Sequence, residues 1–318
     1  MINLLAKVST ISFPGLGIGE FEVSNIAVPA ESLGFLKNIF GSSWQGIAWY
    51  GIIIMTGIIL SALYGIHRAH QEGITTDDML DVILVAVVSS VLGARLYYVV
   101  FYGGYDSFSD IIAIWKGGLA IYGAVIGGII SLVIMSKIKK IKPLVLLDIG
   151  ASSIILGQEI GRWGNFMNIE AYGAVTDLPW RMCSPKIATE MLFEKLVSAE
   201  QYTQMLDGTL GVHPTFLYES LWNIIGFFVI WYLYNHKKYH GQMFLTYLAW
   251  YGLGRMIVEG LRTDSLWLIP GAIRISQLVG ALCFVGCTAV IIYIEIKRRK
   301  ATATVNETVE AKTDGNDN

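Results

Sequence analysis

Long apolar runs separated by short basic loops constrain this chain more than any other feature. A stretch such as "GIIIMTGIILSALYG" (51–65) is driven out of water, and hydrocarbon offers no partner to a free backbone N–H or C=O. Such a stretch therefore crosses a bilayer as a helix, which satisfies its backbone internally. At about 20 mostly apolar residues per crossing, segments near 46–66, 79–102, 117–136, 144–162, 214–235, 242–260 and 272–296 qualify. Charged residues are only 15% of the chain, against about 25% in a typical soluble domain. The fold class expected is an all-α polytopic membrane protein of about seven transmembrane helices.

Basic residues orient the spans. Lys137, Lys139, Lys140 and Lys142 follow the third, Lys237 and Lys238 the fifth, and Lys297, Arg298, Arg299 and Lys300 the seventh. Positive loops stay in the cytoplasm, which puts the N-terminus outside, Arg68 in the first cytoplasmic loop and the C-terminus inside. Three parts follow: an extracytoplasmic arm (1–45), a membrane-spanning domain (46–296) and a polar tail (297–318) expected to be disordered. The arm lacks the basic region, continuous apolar core and cleavage site of a signal peptide. Its "ESLGFLKNIF" segment (31–40) reads as a short amphipathic helix on the membrane surface. The longest connection, about 163–213, contains "DLPWRMCSPKIATEMLFEKLVSAEQYTQMLDG" and reads as a small extracytoplasmic cap of short helices and strands.

Ionisable residues inside spans are costly and by default mark function or an internal partner. In this orientation Tyr50, Arg95, Tyr98 and Tyr122 share the outer leaflet with Arg162, Asn165, Asn168 and Glu170. His213, Tyr218 and Glu219 begin the fifth span there, and Tyr251, Arg255, Glu259 and Arg262 line the outer part and exit of the sixth. Gln158, Arg162 and Asn165 project from one face at i, i+4 and i+7, and the polar residues of the sixth span repeat at four, four and three. A one-sided cluster with permanently charged guanidiniums, which grip phosphate through paired hydrogen bonds, suits an anionic lipid headgroup. The plainer readings are a structural Arg255–Glu259 pair at i, i+4 and a snorkelling Arg162 with capping amides. Neither alone accounts for the whole cluster.

Other features carry less. A net charge of −2 without a basic stripe gives no reason to expect nucleic acid. Cys183, Cys283 and Cys287 have no metal-ligand spacing, and Cys283 and Cys287 read as packing residues on one helix face. His67 and His70 in "HRAH" read as solvated loop residues. Gly123 and Gly127 have the small-xxx-small spacing of close helix packing, while Gly117 and Gly118 stand where backbone approach to a ligand would also favour glycine. Trp115, Trp163, Trp180 and Trp267 fit an interfacial aromatic belt. No Ser-His-Asp arrangement is readable, and no internal repeat of the kind that builds transporters is visible.

The segment "GQEIGRWGNFMNIEAYG" (157–173) resembles the signature of the prolipoprotein diacylglyceryl transferase family, approximately G-R-x-G-N-F-x-N-x-E-x-x-G. Similar segments follow the family's order: "FPGLGIGEFEV" (13–23), "WYGI" (49–52), "GARLYYVVFY" (93–102), "KGGLAIYGAVIGG" (116–128), "HPTFLYES" (213–220) and "YGLGRMIVEGLRTDS" (251–265). The resemblance covers nearly all of residues 13–296.

The resemblance implies a seven-span enzyme of the bacterial inner or cytoplasmic membrane, with its active site toward the outer leaflet. Its partners are phosphatidylglycerol, the lipobox cysteine of prolipoproteins and membrane lipids. The diacylglyceryl group moves to the cysteine thiol, forming a thioether and releasing glycerol phosphate. The catalytic residues implied are Arg162, Arg255, Asn165, Glu170, Tyr251, Glu259 and Tyr50, and the phosphatidylglycerol binders Arg162, Arg255, Asn165, Gly173, Tyr122 and Arg262. Glu159 is expected as an accessory partner of Arg162. Some family members carry histidine in the third-span G-G-x-x-x-H-G-G segment where this chain has Tyr122, so that histidine's role does not carry over. The proton acceptor stays open among Glu170, Glu259 and Tyr122. No metal or organic cofactor is called for, because the leaving group already carries its activating phosphate. The competing classes are a carrier or flippase for an anionic lipid and a non-catalytic scaffold. A carrier would continue the polar path inward, where the fourth and sixth spans are mostly apolar apart from Asp148.

Overall fold

A computed structural model describes residues 8–40, 45–103, 107–114, 117–263, 267–269 and 273–314. In chain order the described elements are β1 (Val8–Phe13), β2 (Ile18–Ser24), β3 (Ile26–Pro29), α1 (Gly34–Phe40), β4 (Gly46–Ala48), α2 (Trp49–Gln71), α3 (Thr76–Tyr102) and α4 (Phe108–Ile112). They continue with α5 (Ile121–Ile138), α6 (Pro143–Asn168), β5 (Val175–Thr176), α7 (Pro185–Phe193), α8 (Ala199–Leu206) and β6 (Gly211–Val212). The chain ends through α9 (Thr215–Tyr234), α10 (Gln242–Val258), β7 (Trp267–Ile269), β8 (Ile273–Arg274) and α11 (Ile275–Asp314). The helices form two compact units: Met1–Ile58, Ile155–Trp231 and Leu245–Asn318 in one, Ile59–Ile154 and Tyr232–Phe244 in the other.

Among the described residues, α2, α3, α5, α6, α9 and α11 to Thr302 are long and apolar enough to cross a membrane. The sequence also placed a span at 242–260. Its helix, α10, has 17 residues, or about 25 Å at 1.5 Å per residue, against about 30 Å of hydrocarbon. It falls short because its last turn tightens into a 3₁₀ turn at Glu259–Leu261. Among the described residues the helices are accompanied by four two-stranded antiparallel sheets, β1–β2, β3–β4, β5–β6 and β7–β8; β5–β6 lies in the connection where short strands were expected, and the other three were not anticipated. Residues 30–40 form a 3₁₀ turn, Ala30–Leu33, followed by α1, where a single amphipathic helix was expected. Past residue 297 the chain is helical to Asp314, where the sequence reading had an unstructured tail. Adding a residue to a nucleated helix fixes one residue per hydrogen bond gained, so a stable span extends into a sequence that would not nucleate alone.

In the second unit, α3 and α5 meet at glycines. A Cβ added to Gly93 would stand 3.2 Å from Gly127 Cα, and one on Gly127 would stand 3.0 Å from Ser89 C, so the backbones approach directly. Arg95, 7% exposed, donates from Nε to Ile111 O at 2.9 Å and from Nη2 to Asp110 O at 2.6 Å. Its Nη1 reaches the carbonyls of Gly117 and Gly118 at 2.7 and 2.9 Å. The two glycines have φ of 86° and 72°, and a Cβ on Gly118 would meet Arg95 Nη1 at 2.6 Å. What approaches this backbone closely is therefore Arg95. Asp148, fully buried, accepts from the backbone N–H groups of Gly241 at 2.8 Å and Phe244 at 3.0 Å. It caps the start of α10, as a carboxylate at a helix N-terminus does, which gives this inner acidic residue a structural task. His67 and His70 hydrogen bond to Gln71 and Thr76.

In the first unit, the 163–213 connection folds around its own apolar core. Ile169, Met182, Ile187, Met191, Met205, Val212 and Phe216 pack with Ile11 and Val23 of the arm. Ser12 and Cys183 exchange backbone hydrogen bonds at 3.0 and 2.9 Å, so the β1–β2 hairpin is part of this small domain. A capping box at Ser198 and Gln201 starts α8. Cys183 is buried, its thiol donates to Leu210 O at 3.3 Å, and burial pushes its pKa up. Trp115 lies outside the described residues.

Candidate active site

A carboxylate near the start of α9 organises the cationic cluster. Glu219 lies a little over one turn into the helix, and its side chain is 7% exposed. Arg162 Nη2, from the last two turns of α6, stands 2.5 Å from Glu219 Oε2. Arg255 Nη1, near the end of α10, lies 3.4 Å from each Glu219 oxygen, and Arg262 Nη1 lies 3.4 Å from Oε1. Arg255 also pairs through Nη2 with Glu259, whose backbone carbonyl accepts from Arg274. Two oxygens can accept several donors at once, so one buried carboxylate holds three guanidiniums. Arg162, Arg255 and Arg262 against Glu219 and Glu259 give +3 − 2 = +1. The cluster keeps a net positive charge while each guanidinium has a carboxylate partner, the condition for burying charge at tolerable cost.

The signature segment turns sharply beside this cluster. After α6 ends at Asn168, Ile169 and Ala171 adopt φ of 52° and 55°, a left-handed backbone that costs roughly 1–2 kcal/mol per non-glycine residue. Ile169 is 3% exposed in the apolar core, and burying such a side chain offsets a cost of that size, at about 1.5–3 kcal/mol. Asn165 and Asn168 both donate their side-chain amides to Glu170 Oε1, at 3.0 and 3.2 Å. The signature amides therefore aim the carboxylate of Glu170, which is solvent-exposed.

Backbone hydrogen bonds join the signature to the other two segments. Gly173 N donates to His213 O at 2.9 Å, Ala174 N to Leu261 O at 2.7 Å and His213 N to Ala174 O at 3.1 Å, and Gly173 bridges Arg262. Thr215 Oγ1 donates to Ala171 O. A Cβ on Gly173 would meet His213 Cβ at 2.8 Å, Leu261 O at 2.9 Å and Thr215 Cγ2 at 3.0 Å. Gly173→Ala is therefore expected to push apart the strands that seat Arg262, lowering activity by about 10²-fold as a 1 Å misplacement does. Specific activity of folded protein in membranes checks this, and a rate within about two-fold of wild type would show that the crossing yields without effect.

Tyr50 packs its ring over Gly164, where a Cβ would stand 2.9 Å from Cδ2. Tyr251 stacks on Tyr247 with centroids 5.8 Å apart. Of the residues expected from the sequence, Arg162, Arg255, Glu259 and Arg262 thus meet in one charged cluster. Asn165, Glu170 and Gly173 form the turn next to it. Tyr122 belongs to the other unit, where its ring lies 6.2 Å from that of Tyr97.

The sequence reading grouped Glu219 with the outer polar residues but gave it no catalytic or binding role. The legible signal was a carboxylate within the apolar run of α9, a position that demands a buried cationic partner. Arg162 takes Glu219 as its partner, in place of the expected Glu159. A neighbouring chain was also missed. Trp180 Nε1 donates to Tyr218 Oη at 2.6 Å, and the Tyr218 hydroxyl shares a hydrogen bond with His213 Nδ1 at 3.1 Å. Burial lowers the His213 pKa.

Comparison with known proteins bears on this geometry. A family model described as prolipoprotein diacylglyceryl transferase matches residues 39–293. A phosphatidylglycerol–prolipoprotein diacylglyceryl transferase of Limosilactobacillus reuteri is 42% identical over 259 residues, covering 80% of this chain and 88% of the relative. A protein of the same description from Streptococcus uberis is 42% identical over 260 residues, covering 80% and 92%. Another from Lysinibacillus sphaericus is 41% identical over 257 residues, covering 80% and 90%.

Proposed function

Since the chain belongs to the prolipoprotein diacylglyceryl transferase family, we infer that it moves the diacylglyceryl group of phosphatidylglycerol to the lipobox cysteine of prolipoproteins, the first step of bacterial lipoprotein maturation. The observation that carries this reading is the net-positive, partly buried cluster of Arg162, Arg255 and Arg262 around the buried Glu219. Guanidiniums already held in place stabilise charge on a departing phosphate without reorganising.

The thiol sulfur attacks the glycerol carbon that bears the phosphate ester. A C–S bond forms, the C–O bond breaks with its electron pair on oxygen, and glycerol phosphate leaves as an anion. The thiol proton must go to a base, because the thiol itself is a poor nucleophile near its usual pKa of about 8.5. Glu170, aimed by Asn165 and Asn168, is the carboxylate the geometry favours for this proton. Glu259 is already engaged by Arg255. Arg162, Arg255 and Arg262 bind the phosphate, while Tyr50, Gly173 and Tyr251 shape the site and Tyr122 contributes to lipid binding. In this reading α10 and its 3₁₀ turn form the sixth of seven spans. The N-terminus and the small domain of 163–213 face outward, and the reaction takes place at the outer leaflet of the cytoplasmic or inner membrane. The Lys/Arg-rich ends of the third, fifth and seventh spans support that orientation.

The test is a reconstituted reaction of the purified protein with phosphatidylglycerol vesicles and a lipobox peptide. Mass spectrometry is expected to find a diacylglyceryl thioether on the cysteine and glycerol phosphate in solution. Lipid movement with no covalent product would instead identify a carrier. A companion variant, Tyr122→Phe, is expected to keep the wild-type dependence of rate on pH, and loss of the alkaline limb would return the proton-acceptor role to Tyr122.

A further inference from the structure

Two tryptophans lock α9 against α10 beside the charged cluster. Trp222 Nε1 donates to Trp250 O at 3.0 Å, and Trp250 Nε1 donates to Trp222 O at 3.0 Å. Their rings stack with centroids 4.5 Å apart and planes inclined by 22°. Each indole also lies on a glycine of the opposite helix, one turn beyond the other tryptophan. A Cβ on Gly226 would meet Trp250 Cδ1 at 2.5 Å, and one on Gly254 would meet Trp222 Cδ1 at 2.6 Å. The helices are antiparallel, and each half of the contact repeats the other.

Indole N–H groups between apolar helices must find acceptors, because hydrocarbon supplies none. Here each finds one only when the two helices stand at a single axial offset. A slide of one turn, about 5.4 Å, would break both hydrogen bonds and drive each indole into side chains in place of the glycines. The charged cluster begins within a turn of this lock. Glu219 precedes Trp222 by three residues and Arg255 follows Gly254 directly, so their 3.4 Å contacts depend on that same offset.

We infer that Trp222 and Trp250, seated on Gly254 and Gly226, are positioning residues that place Glu219 opposite Arg255 and so pre-form the phosphate site. The inference rests on the reading of these arginines as the headgroup binders. It assigns the tryptophans an effect on phosphatidylglycerol recognition and none on the lipobox peptide.

The test uses full-length protein purified in detergent, with Trp222→Phe, Trp250→Phe and the double variant. Each single variant is expected to raise the KM for phosphatidylglycerol about ten-fold while the KM for a lipobox peptide stays within about two-fold. The double variant is expected to be no worse than the more affected single one, because either loss breaks the same reciprocal contact. Far-UV circular dichroism is expected to show an exciton couplet from the stacked indoles in the wild type, abolished in either single variant. Equal shifts in both KM values, no shift in folded protein, or a couplet surviving in a single variant would each overturn the inference. Should neither Phe variant accumulate, Gly226→Ala decides: it keeps both indoles but lodges a methyl group against Trp250, with the same split in KM expected. If Arg162 and Arg255 prove dispensable, the headgroup reading fails, and the couplet still reports whether the lock exists.

Discussion

Arg255→Gln is expected to reduce diacylglyceryl transfer by about 10²-fold or more, the cost of removing one pre-placed donor from a developing anion. Arg255 reaches both oxygens of Glu219 and pairs with Glu259. Gln keeps part of the side chain's length and hydrogen bonding but loses the charge and the paired donor geometry that suits a phosphate. Glu219 would retain Arg162 and Arg262, so the fold should survive. The same loss is expected of Arg162→Gln, which removes the shortest contact to the central carboxylate. Transfer to a lipobox peptide, normalised to folded protein in membranes, measures both. Wild-type rates in the two variants together would remove the headgroup assignment.

Glu219→Gln is the second large effect, and it acts through the arginines. The isosteric amide has one accepting oxygen in place of two and no charge, so the same five positions go from +1 to +3 − 1 = +2. The three guanidiniums lose their common anchor and repel one another. Because a displacement of about 1 Å at such a site costs about 10²-fold, the rate is expected to fall to about a hundredth of wild type. Glu219→Ala should be worse for folding, since removing one partner of a buried ionic group typically costs about 3–5 kcal/mol. Thermal unfolding of the two variants alongside transfer rates separates the effects. A fully active Glu219→Gln protein would show that the arginines hold their places without that carboxylate.

Much of this was legible in the sequence, for reasons that can be given residue by residue. Apolar runs must become helices in hydrocarbon, so α2, α3, α5, α6, α9 and α11 follow from composition and length alone. Residues of one helix face are tied by the 3.6-residue repeat, which made Arg255 and Glu259 visible as a pair before any coordinates. Gly123 and Gly127 carried their packing role in their spacing, and the structure places α5 against α3 there. The 17-residue α10 marks the limit of that kind of reading, because its hydrophobic stretch does not say that the last turn tightens into 3₁₀ geometry at Glu259.

Partners from different helices were not legible. Local spacing offered Glu159 to Arg162, yet the carboxylate that Arg162 meets is Glu219. Arg95, grouped by depth with the other polar residues, is spent on four backbone carbonyls of its own unit. The amides of Asn165 and Asn168 turned out to aim Glu170, and this needs the left-handed turn at Ile169 and Ala171 that no propensity of isoleucine would suggest.

The sequence by itself thus determined a helical membrane protein, its family and the residue types gathered toward one end of its spans, because solvation in hydrocarbon and helical periodicity act on neighbours along the chain. Only the tertiary structure decided which charge meets which. An ion pair depends on separations of a few ångströms between helices, and here these are governed by contacts such as Gly173 against His213 and Trp222 against Gly254, whose effect on a distant residue is not written in the local pattern of either segment.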